Sequence, residues 1–203
     1  MKSLRLFLLS LFIIAPIHAK TILIVGDSLS AGYGIDVQKG WVNLLSEKLQ
    51  QQGDIKVINI STSGDTTSNG LAKLAPALKK YNPDVVIIEL GANDGLRGLS
   101  VSQMQTNLGM MVADSQKSGA KVLLLTTYLP PNYGTKFLQQ FANAYKEVSQ
   151  TYKVPVMPMF LEGVALHDDL MQSDGLHPNE KAQPIILENI WPYLKTALDD
   201  KSS

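Results

Sequence analysis

The chain contains no cysteine. That excludes a disulfide framework, a thiol nucleophile and a thiolate metal site. Charge imbalance is missing too: 18 Lys and Arg face 18 Asp and Glu, a formal net charge of zero. Nucleic-acid binding goes with a basic excess or a basic stripe, so that class finds no support. Histidine is scarce, with three in 203 residues. Beyond the extreme N-terminus no apolar run is long enough to span a bilayer. No repeat, low-complexity tract or linker divides the sequence.

What is present describes one domain. A length of 203 residues, 45% of them hydrophobic and 18% charged, suits a single globular unit with a sizeable core. The first nineteen residues stand apart. Lys2 and Arg5 make a positive n-region, Leu4 to Ile14 is mostly apolar, and small Ala19 follows in "APIHA". This is the pattern of a secretory signal peptide, and the apolar stretch is shorter than the ~20 residues a membrane-spanning helix needs. Cleavage near Ala19 is expected, giving a periplasmic or secreted domain of residues 20–203 with no stable membrane anchor. Its 16 Lys and Arg against 18 Asp and Glu leave a net charge of −2. A monomer is the expectation.

Five short aliphatic runs recur along the domain: Thr21–Val25, Ile55–Ile60, Asp84–Leu90, Lys121–Thr126 and Val154–Met159. They show little polar–apolar alternation, which marks strands covered on both faces. Helix-period stripes lie between them, such as Trp41, Leu44, Leu45, Lys48 and Leu49. A helix around Leu71–Leu78 is expected to bend or break at Pro76, and a terminal helix over Pro178–Leu198 to break near Pro184 or Pro192. Alternating strands and helices predict an α/β fold, a three-layer α/β/α domain around a parallel sheet of about five strands. Ligands in such folds gather at the carboxyl ends of the strands.

Polar, small residues stand at those ends. Gly26-Asp27-Ser28-Leu29-Ser30 follows the first run, "STSGDTTSNG" with Gly64 the second, and Gly91-Ala92-Asn93-Asp94-Gly95 the third. Ser173-Asp174-Gly175-Leu176-His177-Pro178 comes late in the chain. His18 lies in the leader, so a serine hydrolase has only His167 and His177 from which to take its base. His167, in "VALHDDL", reads as a solvated residue on a short surface helix. His177 has Asp174 three residues before it with a glycine between, a spacing that folds back as a tight turn. A turn ahead of a proline-initiated helix also explains Pro178, but not the pairing of Asp with His.

These residues resemble the SGNH (GDSL) hydrolase family. Block I of that family is similar to Gly26–Ser30, the block II glycine to Gly64, block III to Gly91-Ala92-Asn93-Asp94, and block V to Asp174 and His177. "ELGANDGLRG", "LPPNYG" and "DGLHPN" further resemble the bacterial periplasmic thioesterase I, lysophospholipase and arylesterase subgroup, with Pro131 standing where that subgroup has Ala. The resemblance implies a flavodoxin-like α/β/α fold and a catalytic triad of Ser28, Asp174 and His177. It implies oxyanion donors at the backbone N–H of Ser28 and Gly64 and the side-chain amide of Asn93. It also implies acyl ester, acyl thioester and lysophospholipid substrates, without a cofactor or metal. Leu96, Leu99, Tyr128, Leu129, Pro130, Pro131 and Tyr133 are candidates for an acyl groove. Asp27 and Asp94 read as loop-structuring residues.

Three other functions match the sequence less well. A metal-dependent phosphoesterase would gather Asp27, Asn93, Asp94, Asp174 and His177 around two cations, but such sites draw on several histidines. A flavodoxin-like binding module lacks its phosphate cradle, since neither Gly-x-x-x-x-Gly-Lys nor Gly-x-Gly-x-x-Gly stands between a strand and a helix. A carbohydrate O-acetylesterase of the same family would lack the long acyl groove.

Overall fold

The computed structural model describes residues 20–127 and 129–199. The expected signal peptide and Tyr128 lie outside the described residues. Strand β1 (Lys20–Gly26) leads through a four-residue helix α1 (Ser28–Ala31) to α2 (Trp41–Gln50). Then come β2 (Ile55–Asn59), α3 (Thr67–Tyr81), β3 (Val85–Glu89), α4 (Ala92–Leu96) and α5 (Val101–Lys117). The chain continues through β4 (Lys121–Leu125), α6 (Thr135–Tyr152), β5 (Val156–Met157) and α7 (Gln183–Asp199). The five strands form one parallel sheet in the order β2-β1-β3-β4-β5.

Period-two geometry explains why the strands carry no polar alternation. Ile22, Ile24, Val85, Ile87, Leu123 and Leu125 face α2 and α7, meeting Trp41, Leu45, Leu49, Ile186 and Ile190. Leu23, Val25, Val86, Ile88 and Leu124 face α3, α5 and α6, meeting Leu74, Leu108, Val112, Phe141 and Tyr145. Both faces are dry, so both sets of positions must be apolar. Each such fully buried side chain contributes about 1.5–3 kcal/mol.

The prolines behave differently from the expectation. Helix α3 runs unbroken through Pro76, and α7 runs unbroken through Pro192. Both prolines are on the exposed side of their helices, as are Ala72 and Glu188 four residues before them, so the carbonyls they leave without a helical partner lie on the solvent side. Helix α7 starts at Gln183 rather than Pro178: Asn179 caps a separate 3₁₀ turn over Glu180–Ala182. Strand β5 is only two residues long. Its entry is set by Lys153, in the left-handed region at φ +54°, and by Pro155.

The strand order also fixes the site. After β1 the chain crosses to the face of α2, whereas after β3 it crosses to the face of α5. The two loops part in opposite directions above neighbouring strands and leave a crevice at their carboxyl ends. Ser28 and Asn93 flank it.

Candidate active site

Strand β1 ends at Gly26, the last residue paired with β3, and Asp27 turns the chain away. A Cβ at Gly26 would stand 2.8 Å from Glu89 Oε2 and 2.9 Å from Ser30 Cβ, so only glycine fits there. Asp27 is fully buried, and its Oδ1 accepts the Leu29 N–H (3.0 Å), capping α1. Ser28 is the first residue of that helix, with its hydroxyl turned to the crevice.

His177 arrives from the other end of the chain. Its Nε2 lies 2.9 Å from Ser28 Oγ, and its Nδ1 lies 2.6 Å from Asp174 Oδ2. Asp174 Oδ1 accepts two backbone N–H groups, from Leu176 (2.9 Å) and His177 (3.0 Å). Gly175, at φ +66°, makes the turn that brings them round. Partial burial raises the Asp174 pKa, but the hydrogen bonds from His177 and Leu176 outweigh it and hold the carboxyl down at about 2. The carboxylate therefore accepts only, and Nδ1 carries the ring hydrogen. The Tyr33 ring lies against the imidazole at 4.6 Å between centroids.

Asn93 sits in the first turn of α4. Gly91 ahead of it adopts φ +124°, and a Cβ there would run into the Tyr145 hydroxyl, which donates to Leu90 O (2.7 Å). The Asn93 Nδ2 donates to Asp27 Oδ2 (3.2 Å) and to Asp65 O (3.0 Å). Both amide hydrogens are thus engaged, and a ligand oxygen must displace one. Gly64 holds φ +84°, and its carbonyl accepts Arg97 Nη2 (2.9 Å). Asp94 faces away from Ser28: its carboxylate takes the Thr67 N–H (2.8 Å) and the Thr67 hydroxyl (2.6 Å), tying α4 to α3.

A second carboxyl lies beneath the serine turn. Glu89, at the end of β3, is completely buried; its Oε2 accepts the Ser30 hydroxyl (2.7 Å) and, at 3.4 Å, the Asp27 N–H. Burial, with the Asp27 charge adding to it, pushes Glu89 well above the usual carboxylate range. Burial likewise pushes Asp27 up to about 6, against the Leu29 hydrogen bond and the attraction of His177.

The crevice opens into a cavity of about 310 Å³. Leu96, Pro130 and Pro131 line it, as do Leu161, Ala165, Leu166, Met171 and Leu176, which the sequence did not single out. Leu99 and Tyr133 lie outside its wall; the Tyr133 hydroxyl donates to Leu96 O (3.0 Å). Leu129 is buried behind the wall against Gly95. Leu166 is 78% exposed at φ +72°, a conformation unusual for a leucine. His167 is exposed at the start of a 3₁₀ turn, and the imidazole that meets Ser28 is that of His177. Among the described residues no three His, Asp or Glu side chains converge on a metal-sized site.

A buried serine turn, a paired His and Asp, and an amide donor at adjacent strand ends define a class. The chain belongs to the GDSL-like Lipase/Acylhydrolase family, whose sequence pattern matches residues 24–184. It is 49% identical over 181 residues to the esterase TesA of Pseudomonas aeruginosa, covering 89% of this chain and 90% of that protein. It is 42% identical over 184 residues to the thioesterase 1/protease 1/lysophospholipase L1 of Escherichia coli K12, covering 91% and 88%. The crystal structure of the psychrotrophic esterase EstA from Pseudoalteromonas sp., inhibited by monoethylphosphonate, superposes with a TM-score of 0.84 at 44% identity, covering 89% of this chain and 100% of that one.

Proposed function

We propose that Ser28, His177 and Asp174 form a catalytic triad that hydrolyses acyl esters, acyl thioesters and lysophospholipids. The observation that carries the reading is the 2.9 Å contact of Ser28 Oγ with His177 Nε2, backed by Asp174 and opening on an apolar cavity. Ser28 Oγ bonds to the acyl carbon while His177 Nε2 takes its proton. The tetrahedral adduct collapses, the C–O or C–S bond to the leaving group breaks, and His177 returns the proton to that group. Water then attacks the acyl-Ser28 ester by the same route in reverse, releasing the acid.

The oxyanion formed at each attack is stabilised by the backbone N–H of Ser28 and Gly64 and by the amide of Asn93, whose hydrogen leaves Asp27 or Asp65 for the ligand. One such donor is worth about 10²–10³ in turnover. Asn93→Ala is expected to lower kcat by that factor with little change in thermal stability; an unchanged kcat in the folded variant removes Asn93 from this role.

The cavity wall of Leu96, Pro130, Leu161, Leu166, Met171 and Leu176 supports an acyl chain over a sugar as the bound group. The names of the TesA-type relatives agree with that. No helix among the described residues is long and apolar enough to cross a membrane. With the N-terminal leader, this supports export of the domain after cleavage near Ala19.

A serine-directed fluorophosphonate is expected to abolish hydrolysis of p-nitrophenyl esters and acyl-CoA, with one equivalent bound, while EDTA leaves activity intact. Inhibition by EDTA together with resistance to the fluorophosphonate overturns the reading.

A further inference from the structure

Ser28 and His177 are 149 residues apart, and neither stands on a long element. One is on a four-residue helix, the other in a loop. Their contact tolerates little error, since a displacement of about 1 Å costs on the order of 10²-fold in rate. Something must fix the distance between the two segments.

Gln172 touches both. Its Nε2 donates one hydrogen to Tyr33 O (2.8 Å) and the other to Pro178 O (3.0 Å). Its backbone N–H donates to His177 O (2.7 Å), and its carbonyl accepts the Gly175 N–H (3.0 Å). Tyr33 in turn donates its N–H to Ser28 O (3.1 Å). A continuous chain of hydrogen bonds therefore runs from Ser28 through Tyr33 and Gln172 to Pro178 and His177. The chemistry is selective: a primary amide is a neutral group with two hydrogens on one atom, a glutamate only accepts, and a methionine offers neither.

Gly34 shows that the approach is close. It adopts φ +73°, and a Cβ there would run into the side-chain amide of Gln172. Besides the Tyr33 ring on the imidazole, a contact without a hydrogen bond, the further polar links between these segments lie further on. Glu180 meets Lys39 (2.6 Å) and the Asp36 N–H (3.4 Å), and Gln183 accepts the Trp41 N–H (3.0 Å). They anchor the start of α7 rather than the loop that carries His177.

We infer that Gln172 is a positioning residue that sets the distance between Ser28 Oγ and His177 Nε2, with Gly34 as the opening that admits its amide. This rests on the roles proposed above for Ser28 and His177. Loss of the strap acts on the proton transfer between the two side chains and leaves the acyl cavity in place. It therefore moves kcat and spares KM.

The test uses Gln172→Met, Gln172→Ala, Gly34→Ala and the Gln172→Ala/Gly34→Ala double variant, with Ser28→Ala as control. Gln172→Met is expected to lower kcat about tenfold or more with KM within about twofold. The rate of fluorophosphonate inactivation should fall by the same factor as kcat, which a merely structural role would not require. Gly34→Ala should reproduce the loss, and the double variant should be no slower than Gln172→Ala alone. A kcat within twofold of wild type in folded Gln172→Met overturns the inference. Losses that multiply in the double variant overturn it too, and that cycle decides the matter if Gln172→Met does not fold. Activity in Ser28→Ala would instead overturn the triad on which the strap depends.

Discussion

Replacing Ser28 by alanine is expected to lower kcat by about 10⁵–10⁶-fold, the scale found when a serine nucleophile is removed alone. The size follows from what the hydroxyl does. Without Oγ no acyl-enzyme forms, and His177 has only water to activate. The fold should not notice. Ser28 opens a helix, where alanine is at least as good a helix former, and the Asp27 cap on the Leu29 N–H does not need the serine side chain. Thermal denaturation should therefore place the variant within a few degrees of wild type. The assay must distinguish the variant from a trace of wild-type enzyme, which titration with the fluorophosphonate does. Residual turnover above about one percent that resists this titration would sink the proposed nucleophile.

Asp174→Asn should cost about 10⁴-fold in kcat, a loss set by tautomer rather than by position. Asp174 Oδ1 already accepts the Leu176 and His177 N–H groups. An asparagine must keep its carbonyl oxygen there, which leaves its NH₂ facing His177 Nδ1. Two donors cannot meet, so the imidazole moves its hydrogen to Nε2. That hydrogen then points at Ser28 Oγ, and the base has no lone pair with which to take the serine proton. Shape and backbone bonding are retained, so folding should survive. A loss of less than tenfold in kcat would mean that Asp174 does not select the tautomer.

Much of this was legible in the sequence because it is local. Uniform apolar runs such as Ile22–Val25 report burial on both faces of a sheet directly. Asp174 and His177 lie within one turn, so their pairing follows from spacing. Other features depend on where a distant segment ends up. Pro76 and Pro192 looked like breaks because sequence does not show which side of a helix meets water. Leu161, Leu166 and Leu176 form the cavity wall through the path of a loop with no regular period. Glu89 reads as the last residue of a strand until Asp27 and Ser30 fold over it. Gln172 carries no motif; its role exists only once Tyr33 and Pro178 are neighbours.

The strap between the serine turn and the histidine loop also bears on timing. Ser28 is made early and His177 late, and strand β1 lies between β2 and β3, which are added in turn. Contacts this far apart in sequence form late in folding, after the cost of closing long loops is met. A growing chain thus carries its hydroxyl long before anything can activate it. Hydrolysis begins only when the last part of the domain docks, so appearance of activity is itself a clock for the completion of folding.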